Sequence, residues 1–149
     1  MILGAGIILK KKDGTCLVVH PTNQTSKFFS FPKGGRDKEK DNFLSDTAIR
    51  ELYEETNIQL PKTIFLDFVG TSQYKNQRKM IYFFKLEEEE HPKLFERYIN
   101  NVEYKCNSMV KGENPFPEVD LFLWLTKDEL EKVLHYSQKH LLKFIYDEE

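Results

Sequence analysis

Arg50-Glu51-Leu52-Tyr53-Glu54-Glu55-Thr56-Asn57-Ile58 places three carboxylates and one guanidinium within two helical turns. On a helix Glu51 and Glu55 stand four residues apart, with Glu54 beside them. Like charges at this spacing repel, so the run makes a poor inert surface. It is a good way to hold divalent cations, because magnesium prefers a few carboxylates together with water and phosphate oxygens. Arg50 precedes Glu54 by four residues, within reach of a helix-face ion pair that orients the carboxylate. Leu44, Ala48 and Leu52 repeat every four residues and give an apolar stripe, which predicts a helix from residue 41 or 42 to residue 56. Asn57 falls where a left-handed residue ends a helix, a place Asn fills second only to Gly.

Outward from this helix the pattern is mostly strand. Residues 4–9 and 16–20 are apolar and β-prone, and Lys12-Asp13-Gly14 between them is a hairpin turn signal. Residues 28–31 read as a short aromatic strand ended by Pro32. Residues 33–41 read as a charged loop led by Gly34 and Gly35. Strands are expected over 63–70 and 80–86, joined by a loop over 71–79. The acidic run 87–90 reads as a solvated strand end. Pro92, Leu94, Phe95 and Tyr98 suggest a short helix, and residues 110–117 suggest a loop. Residues 119–125 read as a strand, followed by a capping box from Thr126 to Glu129. That box opens a helix to about residue 134, and another helix is expected over 137–146. This irregular alternation implies an α+β fold, a mixed β-sheet packed between α-helices, in one domain over 1–149.

Composition narrows the class further. A chain of 149 residues with 40% hydrophobic and 13% aromatic content is long enough and apolar enough to bury a core. No apolar run approaches the roughly 18 residues of a membrane span. The first residues lack the basic start and apolar stretch of a signal peptide. Cys16 and Cys106 are far apart and lack metal-ligand spacing, so two free thiols and a cytoplasmic setting are expected. A net charge of −2 gives no support for bulk nucleic-acid binding, so any phosphate site has to come from local basic clusters. His20, His91, His135 and His140 show no ligand spacing and read as structural or surface residues.

The run at 50–58, with Phe31-Pro32-Lys33-Gly34-Gly35 upstream, resembles the signature of the Nudix hydrolases. That signature is a glycine, five residues, Glu, seven residues, then Arg-Glu-aliphatic-any-Glu-Glu-any-Gly-aliphatic. The resemblance implies a sandwich of mixed sheet and helices and a Mg2+- or Mn2+-dependent pyrophosphohydrolase. It makes Glu54 and Glu55 the paired metal ligands. Glu51 becomes the glutamate that binds metal or helps activate water, and Arg50 the arginine that orients a glutamate. The carbonyl of Gly34 or Gly35 would complete the metal shell. The sequence departs from the pattern twice. Asn57 replaces the usual glycine. Counting back eight from Arg50 lands on Asn42, whereas six on from Gly35 lands on Asp41 and six on from Gly34 lands on Lys40. The loop is thus one or two residues longer than the pattern, and Asp41 or Glu39 is the acid that would stand in.

The Phe-Pro-Lys-Gly opening resembles diadenosine polyphosphate hydrolases, diphosphoinositol polyphosphate hydrolases and messenger-RNA decapping enzymes. The first two imply a small polyphosphate or nucleotide substrate; the third, the alternative, implies capped RNA. Lys33 and Arg36 stand where they could contact a chain of phosphates. Tyr74, seventeen residues after Asn57, is placed to stack on a base, with Lys75 beside it and Arg78 and Lys79 close behind. Glu118, before Trp124, is a further acid for metal or water. No dense basic helix follows the motif, which favours a small polyanion over RNA. A non-catalytic nucleotide-sensing module of the same fold would be marked by loss of the motif glutamates, and all three are present. Residues 94–109, an unusual insertion, are a candidate protein-interaction segment.

Overall fold

β1 (Ile2–Lys10) runs through the middle of the main sheet and its alternation serves two cores: Ala5, Ile7 and Leu9 face one layer, Ile8 the other. The computed structural model describes residues 1–22, 27–74, 76 and 78–146. β2 (Cys16–Pro21) follows a turn in which Asp13 Oδ1 accepts from the Thr15 backbone N–H at 3.0 Å and Gly14 takes φ 88°. β3 (Lys33–Gly35) pairs antiparallel with the start of β1. β4 (Asp67–Tyr74) and β5 (Lys79–Glu87) form a hairpin, and β5 pairs in parallel with β1 along its whole length. With β8 (Val119–Leu125) against β2, the order is β4-β5-β1-β2-β8, a mixed sheet.

Helices cover both faces. α1 (Leu44–Thr56) and α2 (Pro92–Tyr98) bring Ala48, Ile49, Leu52 and Phe95 to Ala5, Ile7 and Leu9. On the other face α3 (Lys127–Val133), a 3-10 helix (Tyr136–Leu141) and α4 (Leu142–Ile145) bring Leu130, Leu134, Leu141 and Ile145 to Ile8, Val18, Ile81 and Phe83. Burying one such large side chain contributes about 1.5–3 kcal/mol, so both helix layers are held on by their apolar stripes. The fold is the expected α+β arrangement, a mixed sheet between helices. A small ladder of β6 (Met109–Val110) and β7 (Phe116–Pro117) stands apart from it.

Several elements differ from the sequence reading, each for a tertiary reason. Residues 33–35 form a strand because Gly4 of β1 has no Cβ; a Cβ there would run into the Gly34 carbonyl. Residues 28–31 make isolated bridges, Ser30 to Val19 and Phe29 to Leu134, instead of a strand. The strand expected over 63–70 is displaced to Asp67–Tyr74, because its partner β5 sets the register and pairs Tyr74 with Lys79. α1 begins at Leu44, later than expected, because Asp46 Oδ2 caps it by accepting from the Asn42 and Phe43 backbone N–H groups at 3.1 and 2.9 Å. The last helix opens as a 3-10 turn.

Asn57 ends α1 at φ 73°, and its N–H donates to Tyr53 O at 2.9 Å. Its side chain also ties down the segment after α2: Nδ2 donates to Glu103 O at 3.1 Å, and Oδ1 accepts from Asn107 Nδ2 at 2.9 Å. Asn57→Ala is therefore expected to lower unfolding free energy by about 1–3 kcal/mol, through left-handed strain and two lost hydrogen bonds. Asn57→Gly should lose less, because it keeps the backbone conformation. Urea denaturation of the two variants checks the order.

Candidate active site

Arg50 is the hub of the acidic cluster. Its Nη1 donates to Glu51 Oε1 and to Glu54 Oε1, both at 3.1 Å. Its Nη2 donates to Gly35 O at 2.8 Å, and to Asp41 Oδ2 at 2.8 Å. Its Nε reaches Asp41 Oδ1 at 3.1 Å, so the Asp41 pair is two-pronged. The helix spacing that puts Arg50 one residue before Glu51 and four before Glu54 makes this possible without bending the backbone. The guanidinium pKa is raised, first by its bonds to Asp41, with burial opposing and Glu54 adding to the rise.

Of the two acids expected near the missing upstream glutamate, Asp41 is the one that pairs with Arg50. It is 3% exposed, and besides Arg50 its Oδ2 accepts from the Asp37 N–H at 2.9 Å and the Thr47 hydroxyl at 2.8 Å. Burial works against the carboxylate, but the bonds from Arg50, the Asp37 backbone and Thr47 outweigh it and hold its pKa down at about 2. Its oxygens are thereby committed to fixing Arg50. Glu39 remains exposed, its N–H on Asp37 Oδ1.

Glu51 and Glu55 are nearly buried, at 8% and 9% exposure, although they are carboxylates. Glu55 Oε1 accepts from the Lys33 N–H at 2.8 Å, which locks β3 to α1. Burial pushes the Glu55 carboxyl up to about 8; Lys33 opposes this, and Glu51 and Glu118 add to it. Burial also raises the Glu51 carboxyl, followed by repulsion from Glu54, while Arg50 opposes and Glu118 adds. Gly34 lies directly against Glu51: a Cβ there would run into its carboxylate. Buried, mutually repelling carboxylates against a glycine cradle form a hard-oxygen donor set of the kind magnesium and manganese take. Among the described residues no three Asp, Glu, His or Cys side chains stand close enough together to hold a metal ion as they are, so a cation here would draw the glutamates together. Arg50 draws on one oxygen each of Glu51 and Glu54, which leaves the second oxygen of each for a ligand.

The remaining predicted residues divide. Lys33 stands in the cluster, and its Nζ lies 5.2 Å from the centre of the Tyr74 ring. Glu118 is close enough to raise both Glu51 and Glu55, and its Oε2 accepts from Ser108 Oγ at 3.3 Å. Arg36 does not join: it is exposed, with Nη2 at 3.5 Å from Asp41 O. Tyr74 ends a strand instead of lying in the expected loop; its hydroxyl accepts from Gln138 Nε2 at 3.0 Å and its half-buried ring meets Lys33 and His135 on one wall of the site. Lys75 lies outside the described residues.

The structure gives places to a cation that the sequence reading named only as a neighbour of Tyr74, and to a segment it left as an insertion. Lys79, paired with Tyr74 across β4 and β5, is half-buried; burial and then Lys33 lower its pKa, and Glu51, Glu55 and Glu118 pull it back up. Its position at a strand start gave no local signal. The segment after α2 closes the C-terminal end of α1: Asn107 N–H donates to Glu54 O at 2.6 Å and Lys105 N–H to Thr56 O at 3.2 Å. The insertion is thus part of the site's frame. Cys16 and Cys106 are both free thiols, and no helix of the described residues is long and apolar enough to cross a membrane.

Comparison with known proteins agrees with this geometry. The model of the NUDIX domain family matches residues 2–144. The chain belongs to the Nudix family and is a hydrolase acting on phosphorus-containing acid anhydrides. No curated protein sequence matches it. Solved structures share the fold at low identity. The C. elegans Ap4A hydrolase is 18% identical with a TM-score of 0.66, over 99% of this chain and 96% of that one. The NUDIX domain of Shewanella oneidensis NrtR, complexed with ADP ribose, is 14% identical with a TM-score of 0.69, over 99% and 87%. The MutT protein of Methanosarcina mazei Go1 is 14% identical with a TM-score of 0.65, over 97% and 91%.

The Asp41–Arg50 pair yields a test by pH. A carboxyl held below its unfolded value contributes stability that is full above pH 3.8 and is lost as pH falls toward about 2. Asp41→Asn is expected to lower stability at pH 7 by roughly 2 kcal/mol or more and to flatten the acid limb below pH 4. Denaturation curves from pH 7 to pH 2 check both.

Proposed function

We propose that the chain is a Mg2+- or Mn2+-dependent pyrophosphohydrolase. Its substrates are a nucleoside diphosphate linked to another moiety, or a polyphosphate, with diadenosine and diphosphoinositol polyphosphates leading. The observation that carries this is the arrangement around Arg50. One guanidinium gathers Glu51 and Glu54, Glu51 lies against Gly34, and Glu55 is anchored on the neighbouring Lys33 N–H. Lys33 and Lys79 supply positive charge on the same wall. The name of the C. elegans neighbour, an Ap4A hydrolase, supports the dinucleotide reading.

Glu51, Glu54, Glu55 and the Gly34 carbonyl would hold the cation. The Gly35 carbonyl already accepts from Arg50 and is the second choice. Glu118 would reach it from the far side. When bound, a divalent cation polarises the phosphoryl oxygens and makes water a better nucleophile. Arg50 holds Glu51 and Glu54 in place, and Asp41 holds Arg50. Lys33 and Lys79 take the non-bridging oxygens of the phosphate chain. Water adds to one phosphorus as the bridging P–O bond breaks, the bridging oxygen leaves with the electron pair, and a glutamate of the cluster, Glu51 in this assignment, takes the water proton.

The test is product analysis by mass spectrometry. Wild type and Glu54→Gln meet diadenosine tetraphosphate, a diphosphoinositol polyphosphate and a short capped RNA, with magnesium and with manganese. Cleavage that needs the metal and falls by roughly 10²-fold or more in Glu54→Gln, with unchanged circular dichroism, supports the proposal. A near-normal rate in the variant sinks the ligand assignment.

A further inference from the structure

A second cleft, of about 530 Å³, shares Arg50 and Asp41 with the acidic cluster but is lined by none of its glutamates. It is walled by the loop before α1 at Lys40 and Asn42, by Tyr53 on the helix, and by Lys62 beyond the helix end. Lys40, Asn42 and Lys62 are exposed, and Tyr53 is 38% exposed, so the cleft opens to solvent.

The acids here are spent inward. Asp46 Oδ2 accepts from the Asn42 and Phe43 N–H groups, so the start of α1 is already capped. Asp41 is held by Arg50, Thr47 and the Asp37 N–H, and each nitrogen of Arg50 already donates. What faces the cleft is donors without acceptors. Lys40 Nζ, Lys62 Nζ, the Asn42 amide and the Tyr53 hydroxyl make no hydrogen bond or ion pair with the described residues. Lys40, Arg50 and Lys62 against Asp41 and Asp46 leave the lining net positive. Two ammonium point charges with a hydroxyl and an amide between them suit the oxygens of a phosphate group. A cation meets the wrong sign, and a neutral ligand leaves both ammonium groups uncompensated.

We infer that this cleft is a second anion site, which takes free phosphate or the phosphate of an ester between Lys40 and Lys62. Lys40 is the chain neighbour of Asp41, and Lys62 follows the end of α1. A bridging anion therefore ties the loop before the helix to the segment after it and steadies Asp41 on Arg50. It acts on Glu51 and Glu54 only through that pair, and so tunes the acidic cluster without entering it. The site does not depend on the hydrolytic reading, because binding is measured with no turnover.

Inorganic phosphate is titrated calorimetrically in the presence of EDTA, with chloride holding ionic strength constant. Amide hydrogen exchange is followed by mass spectrometry. Wild type should bind with a Kd of about a millimolar and gain protection over residues 37–47. Lys40→Ala/Lys62→Ala, a pair of exposed substitutions, should weaken binding about tenfold or more and lose that protection. Lys33→Ala should keep both. No binding by wild type up to about 20 mM phosphate, or equal binding by the double variant, overturns the site. Loss of binding in Lys33→Ala alone also overturns it, because the phosphate then sits at the glutamates. Binding with no added protection over 37–47 overturns the link to Asp41. Phenyl phosphate run in parallel separates the two sources. Tighter binding than inorganic phosphate, lost in Tyr53→Ala, assigns an ester whose ring covers Tyr53, and equal binding assigns free phosphate. Either result supports the site.

Discussion

One half-buried guanidinium reconciles five acceptors that would otherwise repel or stand unpaired. Arg50 meets Asp41 with two nitrogens, Glu51 and Glu54 with a third, and the Gly35 carbonyl besides. Three carboxylates near one another in a partly desolvated pocket would protonate or push apart without a fixed positive charge. Arg50 also crosses three segments at once, joining α1 to β3 and to the loop before the helix. The same side chain therefore holds the fold closed where the carboxylates gather. Asp41 completes this role from outside the helix, which is why its place in the loop can shift by a residue without loss of the pair.

The rest of the frame follows from keeping that hub in register with the sheet. Glu55 takes the Lys33 N–H, so the helix sits on β3 at a set height. Gly34 leaves room for Glu51, and Gly4 leaves room for β3 to approach β1. At the other end of α1, the left-handed Asn57 and the segment through Asn107 satisfy the last turn, including the carbonyl of Glu54 itself. The insertion after β5 thus bears on the backbone of Glu54, and Ser108 of the same segment donates to Glu118. A stretch that reads as irregular in one dimension is the brace between α1 and the start of β8.

The far layer is pinned by one buried amide. The polar side chain of Gln138 is buried among apolar neighbours because it serves three partners at once: Tyr74, Ser30 and the Phe31 backbone. That network fixes the wall formed by Tyr74 and the step formed by His135 and Tyr136. Asp120, one strand residue beyond Val119, turns instead to His20 at 2.9 Å and takes no part in the cluster.

The helix at 44–56, its left-handed end at Asn57, the strands around Ile7, Val18 and Phe83, and the capping box at Thr126 were all legible locally. Periodicity, capping and β-propensity act between residues a few positions apart. The glutamate run and its glycine pair likewise identified the chemistry, because helix geometry alone puts Arg50 beside Glu51 and Glu54. The choice of Asp41 over Glu39, the strand at 33–35, the contacts of the Tyr74 ring with Lys33 and His135, the place of Lys79 beside Lys33, and the partners of Asn107 and Gln138 were not legible. Each depends on partners from 9 to 108 positions away in the chain, brought near by strand order and register. Local sequence carries the spacing of a helix face. Only the packed sheet decides which distant backbone or ring that face meets.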